Sequence, residues 1–238
     1  IEDAVIHDGV LYRTDCRTAA GPYPYSDEMR FGAMSVTKSA MLNIAMLRLA
    51  QKFGAEFLDE PIAKYFTAAR RPGWDDVTYR QLANMSSGHH FKGEGGTFAD
   101  LKFNCWVQQR TKNDRIEVAL SSYPRTYQPG AEFHYINQDS YLEGTALDAL
   151  LKSQEGCEAS TWEMLKREVY QPIGIHHLPS ASTIEEDGSQ GLPLWSAGYY
   201  PTINDLAKLA LLMKNRGAWG DQQILNRELV ESLLPTTT

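Results

Sequence analysis

Residues 31–54, FGAMSVTKSAMLNIAMLRLAQKFG, constrain this chain more than any other stretch. Met41, Ile44, Ala45, Arg48 and Leu49 recur at helical spacing and Gly54 supplies a stop, which predicts a helix over residues 35–53. Such a run packs against other elements, yet Ser35 and Lys38 stand in its first turn. Three residues apart on a helix, their side chains share a face and their heads lie within reach of each other. That pairs a nucleophile with a potential base. Lysine is a base only when neutral, and both burial and a helix N-terminus disfavour its ammonium form. Lowering its pKa from about 10.4 to about 7 takes roughly 4 to 5 kcal/mol, within what a mostly buried lysine experiences. The Ser35 amide N–H would then help to hold an oxyanion. The structural alternative is a Lys38 whose stem lies along an amphipathic helix while its head reaches water.

The rest of the chain sets the frame. Residues 4–14, AVIHDGVLYRT, read as two strands about Asp8-Gly9, a dipeptide suited to the positive φ angles of a tight hairpin. Short helices are expected after Pro61 and over residues 76–85, ending at the Ser86-Ser87-Gly88 break. Residues 86–113 carry several glycines, two histidines and aromatics without a clean period and read as a long excursion or lid. Within it KGEGG (92–96) follows no strand and is a loop rather than a phosphate cradle, while Phe103 and Trp106 are candidates for a cleft wall or for anchors to the core. Residues 113–122, 138–152 and 161–174 are expected to be helical. Residues 181–191 read as a polar loop, and Thr202 with Asp205 as a capping box opening a helix closed by Gly217.

With 42% hydrophobic and 22% charged residues, the 238-residue chain has the composition of a globular protein. The net charge of -7 and the scattered Lys and Arg argue against nucleic acid as a partner. No apolar run reaches the roughly 18 residues of a membrane span. Cys16, Cys105 and Cys157 show no metal-ligand spacing and are expected to be buried or half-buried thiols. The His89-His90 and His176-His177 pairs lack any chelating pattern, so no metal is expected.

A second motif carries weight beside the first. In HYINQDSY, Tyr135 and Asn137 are two apart in a segment expected to be extended after the Pro129-Gly130 turn, so both point to one side. A phenol and an amide facing one pocket suit proton relay and hydrogen bonding to a substrate carbonyl or amide. His134 would point the other way.

SVTK with its flanking FGAM, DEPIAKYF, LANMSSG, YIN and SAGYYPTINDLAKLALLM together resemble the serine hydrolases of the class C β-lactamase group. That superfamily includes D-alanyl-D-alanine carboxypeptidases and family VIII esterases. MSVTKS, MSSG and QPIG are most similar to its nylon-oligomer hydrolase and esterase-like members. The resemblance implies an α+β fold of the β-lactamase/transpeptidase type, an antiparallel sheet flanked by helices with a mostly helical second region. Residues 1–60 and 190–238 would belong to the sheet domain and residues 61–189 to the helical one. It implies Ser35 as acylated nucleophile, Lys38 as base, Tyr135 as proton shuttle and Asn137 as substrate-contacting amide. Trp195 and Gly198 fall where the family carries a substrate-binding segment. Family members carry a third element, Lys-Thr-Gly or His-x-Gly, on a late strand; it has no counterpart after Gly198, so the last strands are expected to lie outside this chain.

The expectation is hydrolysis of an ester or amide, whether β-lactam, D-Ala peptide or a small compound, through an acyl-serine and without a cofactor. A catalytically silent binding or sensor protein on the same scaffold is the alternative, and a purely structural helical protein, with Lys38 far from Tyr135, is the third.

Overall fold

The computed structural model describes residues 3–91 and 101–234. The chain opens on an antiparallel ribbon, β1 (Ala4–His7) with β2 (Val10–Arg13), in the register Ala4↔Arg13 to His7↔Val10. Asp8 and Gly9 turn it with φ of +47° and +78°, as the dipeptide predicts. A second short ribbon, β3 (Arg17–Thr18) with β4 (Gly21–Pro22), follows.

The first long helix departs from expectation at its start. Residues Lys38–Leu42 wind as a π-helical turn before α1 (Asn43–Phe53) continues in regular form to Gly54, whose φ is +87°. Met41, Leu42, Ile44, Ala45, Leu47, Leu49 and Ala50 are all buried. Three 3-10 turns (Glu56–Asp59, Ile62–Lys64, Thr67–Ala69) lead to α2 (Tyr79–Ala83), opened by a Thr78/Gln81 capping box. The excursion contains α3 (Leu101–Val107), while KGEGG lies outside the described residues. Trp106 is 2% exposed and edge-on to Tyr141, with Arg115 over its ring, so it anchors α3 to the core rather than lining a cleft.

Next come α4 (Lys112–Ser121), capped by Thr111, and α5 (Asn137–Glu155), the longest helix. Because α5 is buried on every side over residues 137–148, it is the axis about which α1, α2 and α4 pack. The α6 helix (Thr161–Leu165) runs into a second π-helical turn, Lys166–Tyr170.

Residues 181–191, read as a loop, instead contain most of a bulged ribbon, β5 (Ser182–Ile184) with β6 (Gln190–Pro193). Its strands are too short for an alternating pattern, and Asp187 Oδ1 organises the turn by accepting from the Ser189 N–H at 2.9 Å. The α7 helix (Ile203–Lys214) begins at the Thr202/Asp205 capping box. A last ribbon, β7 (Ala218–Trp219) with β8 (Gln222–Gln223), and α8 (Arg227–Leu233), capped by Asn226, complete the described chain. One buried apolar cluster joins residues from Ala33 to Val230. Cys16 is buried, but Cys105 and Cys157 are exposed, which corrects the expectation for those two thiols.

Candidate active site

Ser35 stands on a turn held from both sides. Phe31 N–H donates to Pro201 O at 3.2 Å and Ala33 N–H to Tyr199 O at 2.9 Å, an antiparallel pairing of residues 31–33 with 199–201. Tyr199 N–H in turn donates to Oγ1 of the fully buried Thr37 at 3.2 Å. Between these clamps Met34 takes φ +46°, a left-handed conformation that costs a non-glycine residue on the order of 1 kcal/mol. The Ser35 N–H meets no acceptor among the described residues and remains available to a ligand oxygen.

Tyr135 and Asn137 reach the same point from the opposite side. The arm before them is fixed to the Ser86-Ser87-Gly88 break: Gly130 N–H donates to Ser86 O at 2.7 Å and His134 N–H to Met85 O at 2.9 Å. Gly88, at φ +85°, accepts from the Thr126 and Tyr127 amides, and a Cβ there would strike Tyr127 O. The His134 ring stacks between His90 (4.3 Å) and Tyr127 (5.1 Å), away from Ser35. Asn137 then begins α5.

Lys38 lies at the centre. Its Nζ is 2.7 Å from Asn137 Oδ1, 2.9 Å from Ser196 O, 3.0 Å from Tyr135 OH and 3.4 Å from Ser35 Oγ. Tyr135 OH and Ser35 Oγ are hydrogen-bonded at 2.6 Å, and either hydroxyl can be the donor as its proton rotates. Lys38 is 8% exposed, and burial lowers its pKa from the ordinary lysine value, with the hydrogen bond to Tyr135 opposing. The two shortest contacts are to carbonyl oxygens, which only accept. Lys38 Nζ donates to both, and Tyr135 OH, with Ser35 Oγ at longer range, lies within its reach as well. The head of Lys38 therefore points into the protein rather than to water.

The structure thus brings together four of the six residues singled out in the sequence. Asn137 is buried with its carbonyl spent on Lys38. Trp195 and Gly198 are placed differently from what the resemblance implied. The Trp195 ring is fully buried against Gly144, and Gly198 is locked by its N–H on Leu194 O and its carbonyl on the Ala181 amide. What the segment contributes instead is the Ser196 carbonyl. A backbone oxygen has no residue-type signature, so no sequence signal could have found it. Among the described residues no group of three or more His, Cys, Asp or Glu could hold a metal ion. Nor is any helix there long and apolar enough to cross a membrane.

Helices packed with small antiparallel sheets, and a serine at the head of a buried helix, define the β-lactamase/transpeptidase class of fold. The Beta-lactamase family model matches residues 4–237, and the chain belongs to that family. Similar solved structures include a protein described as a 6-aminohexanoate-dimer hydrolase from Bacillus anthracis, with TM-score 0.71 and 20% identity over 98% of this chain and 58% of that one. A penicillin-binding protein from Bacillus halodurans is similar at TM-score 0.66 and 22% identity, over 100% of this chain and 75% of that one. The D-alanine carboxypeptidase AmpC from Burkholderia cenocepacia is similar at TM-score 0.61 and 18% identity, over 96% and 62%. At these identities the likeness is one of fold, and this chain spans between 58% and 75% of the three compared chains. No curated protein sequence matches it.

Proposed function

We propose that the protein hydrolyses an ester or amide through an acyl-serine intermediate, with Ser35 as nucleophile, Lys38 as base and Tyr135 as proton relay. One observation carries this reading: Ser35 Oγ, Tyr135 OH and Lys38 Nζ are mutual neighbours at 2.6, 3.0 and 3.4 Å, with Lys38 further fixed by two acceptors. Direct transfer from Ser35 to Lys38 would span 3.4 Å, beyond good hydrogen-bond length, whereas the route through Tyr135 takes two steps of 2.6 and 3.0 Å. In acylation Ser35 Oγ bonds to the substrate carbonyl carbon, its proton passes to the Tyr135 oxygen, and the Tyr135 proton passes to Lys38. The oxyanion is met by the Ser35 N–H. The reverse relay delivers a proton to the leaving alcohol or amine as the acyl bond breaks, and the same groups then activate water to release the acid.

Membership of the Beta-lactamase family supports the reading, as do the names of the similar hydrolase and carboxypeptidase. Replacing Ser35 by Ala is expected to abolish both turnover of p-nitrophenyl acetate and covalent labelling by a fluorophosphonate, read by intact mass. Labelling that survives Ser35→Ala overturns the assignment, and a burst stopping at one equivalent identifies a stoichiometric acyl-binding protein instead.

A further inference from the structure

The helix that carries Lys38 begins in a form its sequence does not demand. Nothing in KSAML (38–42) disfavours an α-helical turn, yet the Asn43 N–H reaches back five residues to Lys38 O. Where such a turn returns to i→i−4 pairing, one backbone carbonyl is left without a helix N–H of its own, and a buried carbonyl needs a donor. Tyr170 brings one from outside the helix: its hydroxyl donates to Ala40 O at 2.9 Å, and both residues are buried. Tyr170 closes the second π-helical turn, Lys166–Tyr170, so the two irregular turns meet at this bond. Its ring also stacks on that of Tyr199, centroids 6.2 Å apart and planes 13° from parallel. Tyr199 in turn holds the nucleophile turn, through the Ala33 N–H and Thr37 Oγ1.

We propose that Tyr170 is a positioning residue for the site: its hydroxyl holds the π-helical turn at Ala40 and thereby aims Lys38 at Asn137 Oδ1, Ser196 O and Tyr135 OH. The inference rests on the acyl-serine reading, in which Lys38 is the base. An α-helix turns about 100° per residue, so a turn that takes in one residue more sets the direction of Lys38 relative to the buried face of α1. Without the bond the turn relaxes toward i→i−4 pairing and swings Nζ off its two carbonyl acceptors. A misplacement of the order of 1 Å is enough to slow catalysis severely.

The test is Tyr170→Phe, which removes one oxygen and keeps the ring, with p-nitrophenyl acetate as substrate. Tyr79→Phe is the control, because Tyr79 is equally buried and donates to another helix carbonyl, Ala146 O, at 3.2 Å. The expected result is a kcat about tenfold lower in Tyr170→Phe with KM within about twofold of the parent, against a parental kcat in Tyr79→Phe despite a comparable fall in Tm. Tyr170→p-aminophenylalanine offers the same carbonyl a weaker donor, and its kcat should lie between those of the parent and Tyr170→Phe. A parental kcat in Tyr170→Phe overturns the proposal. An equal loss in Tyr79→Phe overturns it too, since the loss then follows stability. Should Tyr170→Phe not fold, the p-aminophenylalanine variant decides: a kcat at least about threefold below the parent at unchanged KM supports the proposal, and a parental kcat overturns it. These results leave the acyl-serine reading intact as long as turnover depends on Ser35. Turnover that survives Ser35→Ala removes that reading and the role of Tyr170 with it.

Discussion

Lys38 is held by what it donates to. Asn137 Oδ1 and Ser196 O each accept an N–H of Lys38, and burial disfavours its ammonium form. Activity should therefore rise with pH as Lys38 deprotonates and level off once it is neutral. Asn137→Asp tests this with a defined sign. A carboxylate 2.7 Å from Nζ stabilises the ammonium, so the Lys38 pKa rises and the acid limb of the kcat/KM profile moves to higher pH by about one unit or more. Activity at pH 7 falls about tenfold or more and is partly recovered at pH 9. A limb that stays in place, or moves to lower pH, would mean that Lys38 is not the titrating base. A uniform loss at all pH values would assign Asn137 to substrate contact alone.

At the scale of elements, the site depends on α5 and the segment lying across it. Gly144 is the point of contact: a methyl group there would fall inside the van der Waals radius of the Trp195 ring, which is fully buried. Helix propensity alone would make Gly144→Ala stabilising by about 1 kcal/mol, but forced displacement of a packed indole costs typically 1–3 kcal/mol and often more where backbone follows. Displacing Trp195 also moves Ser196, whose carbonyl holds Lys38. The expected outcome is a net loss of about 2 kcal/mol in urea unfolding together with a lower kcat. A variant as stable as the parent would show that the ring has room to shift. These two elements also mark how far the sequence could be read. The Asp8-Gly9 hairpin, the Thr202/Asp205 cap and the Gly54 stop were legible because each is a local rule about one or two residues. Lys38 and three of its neighbours, Ser35, Tyr135 and Asn137, were legible because side-chain type carries their chemistry. The β5–β6 ribbon, with strands of three and four residues, left no period to read. The π-helical turn at Lys38–Leu42 was hidden because its sequence suits an α-helix equally well. Trp195 was singled out only by its place in a segment that the family resemblance makes substrate-binding, and tertiary packing against Gly144 makes it core.

The whole molecule carries a feature whose pH dependence opposes that of the site. Asp139 and Glu143, one turn apart on α5, are both 2% exposed. Asp139 accepts from the Ser87 hydroxyl at 3.0 Å, while Glu143 Oε1 has no partner among the described residues. Burial holds Asp139 up to about 7 and Glu143 up to about 8, the proximity of Asp139 adding to the latter. In the unfolded chain both ionise near pH 4, so between about pH 4.5 and 8 the native state binds more protons and stability declines as pH rises. Below that window both states are protonated and the pair has no effect. Of the order of 2 kcal/mol or more is lost between pH 5 and pH 8, several degrees in Tm for a chain of this size. Glu143→Gln removes the ionisation, so its Tm should change less from pH 5 to pH 8 than that of the parent. The slope is the readout, because a buried amide brings its own hydrogen-bonding cost that does not vary with pH. An unaltered slope would mean that Glu143 is already ionised and paired in the fold. Lys38 needs higher pH to lose its proton while the α5 carboxyls need lower pH to keep theirs, so the working range is bounded below by the base and above by the core. The two bounds should move separately, the lower with Asn137→Asp and the upper with Glu143→Gln.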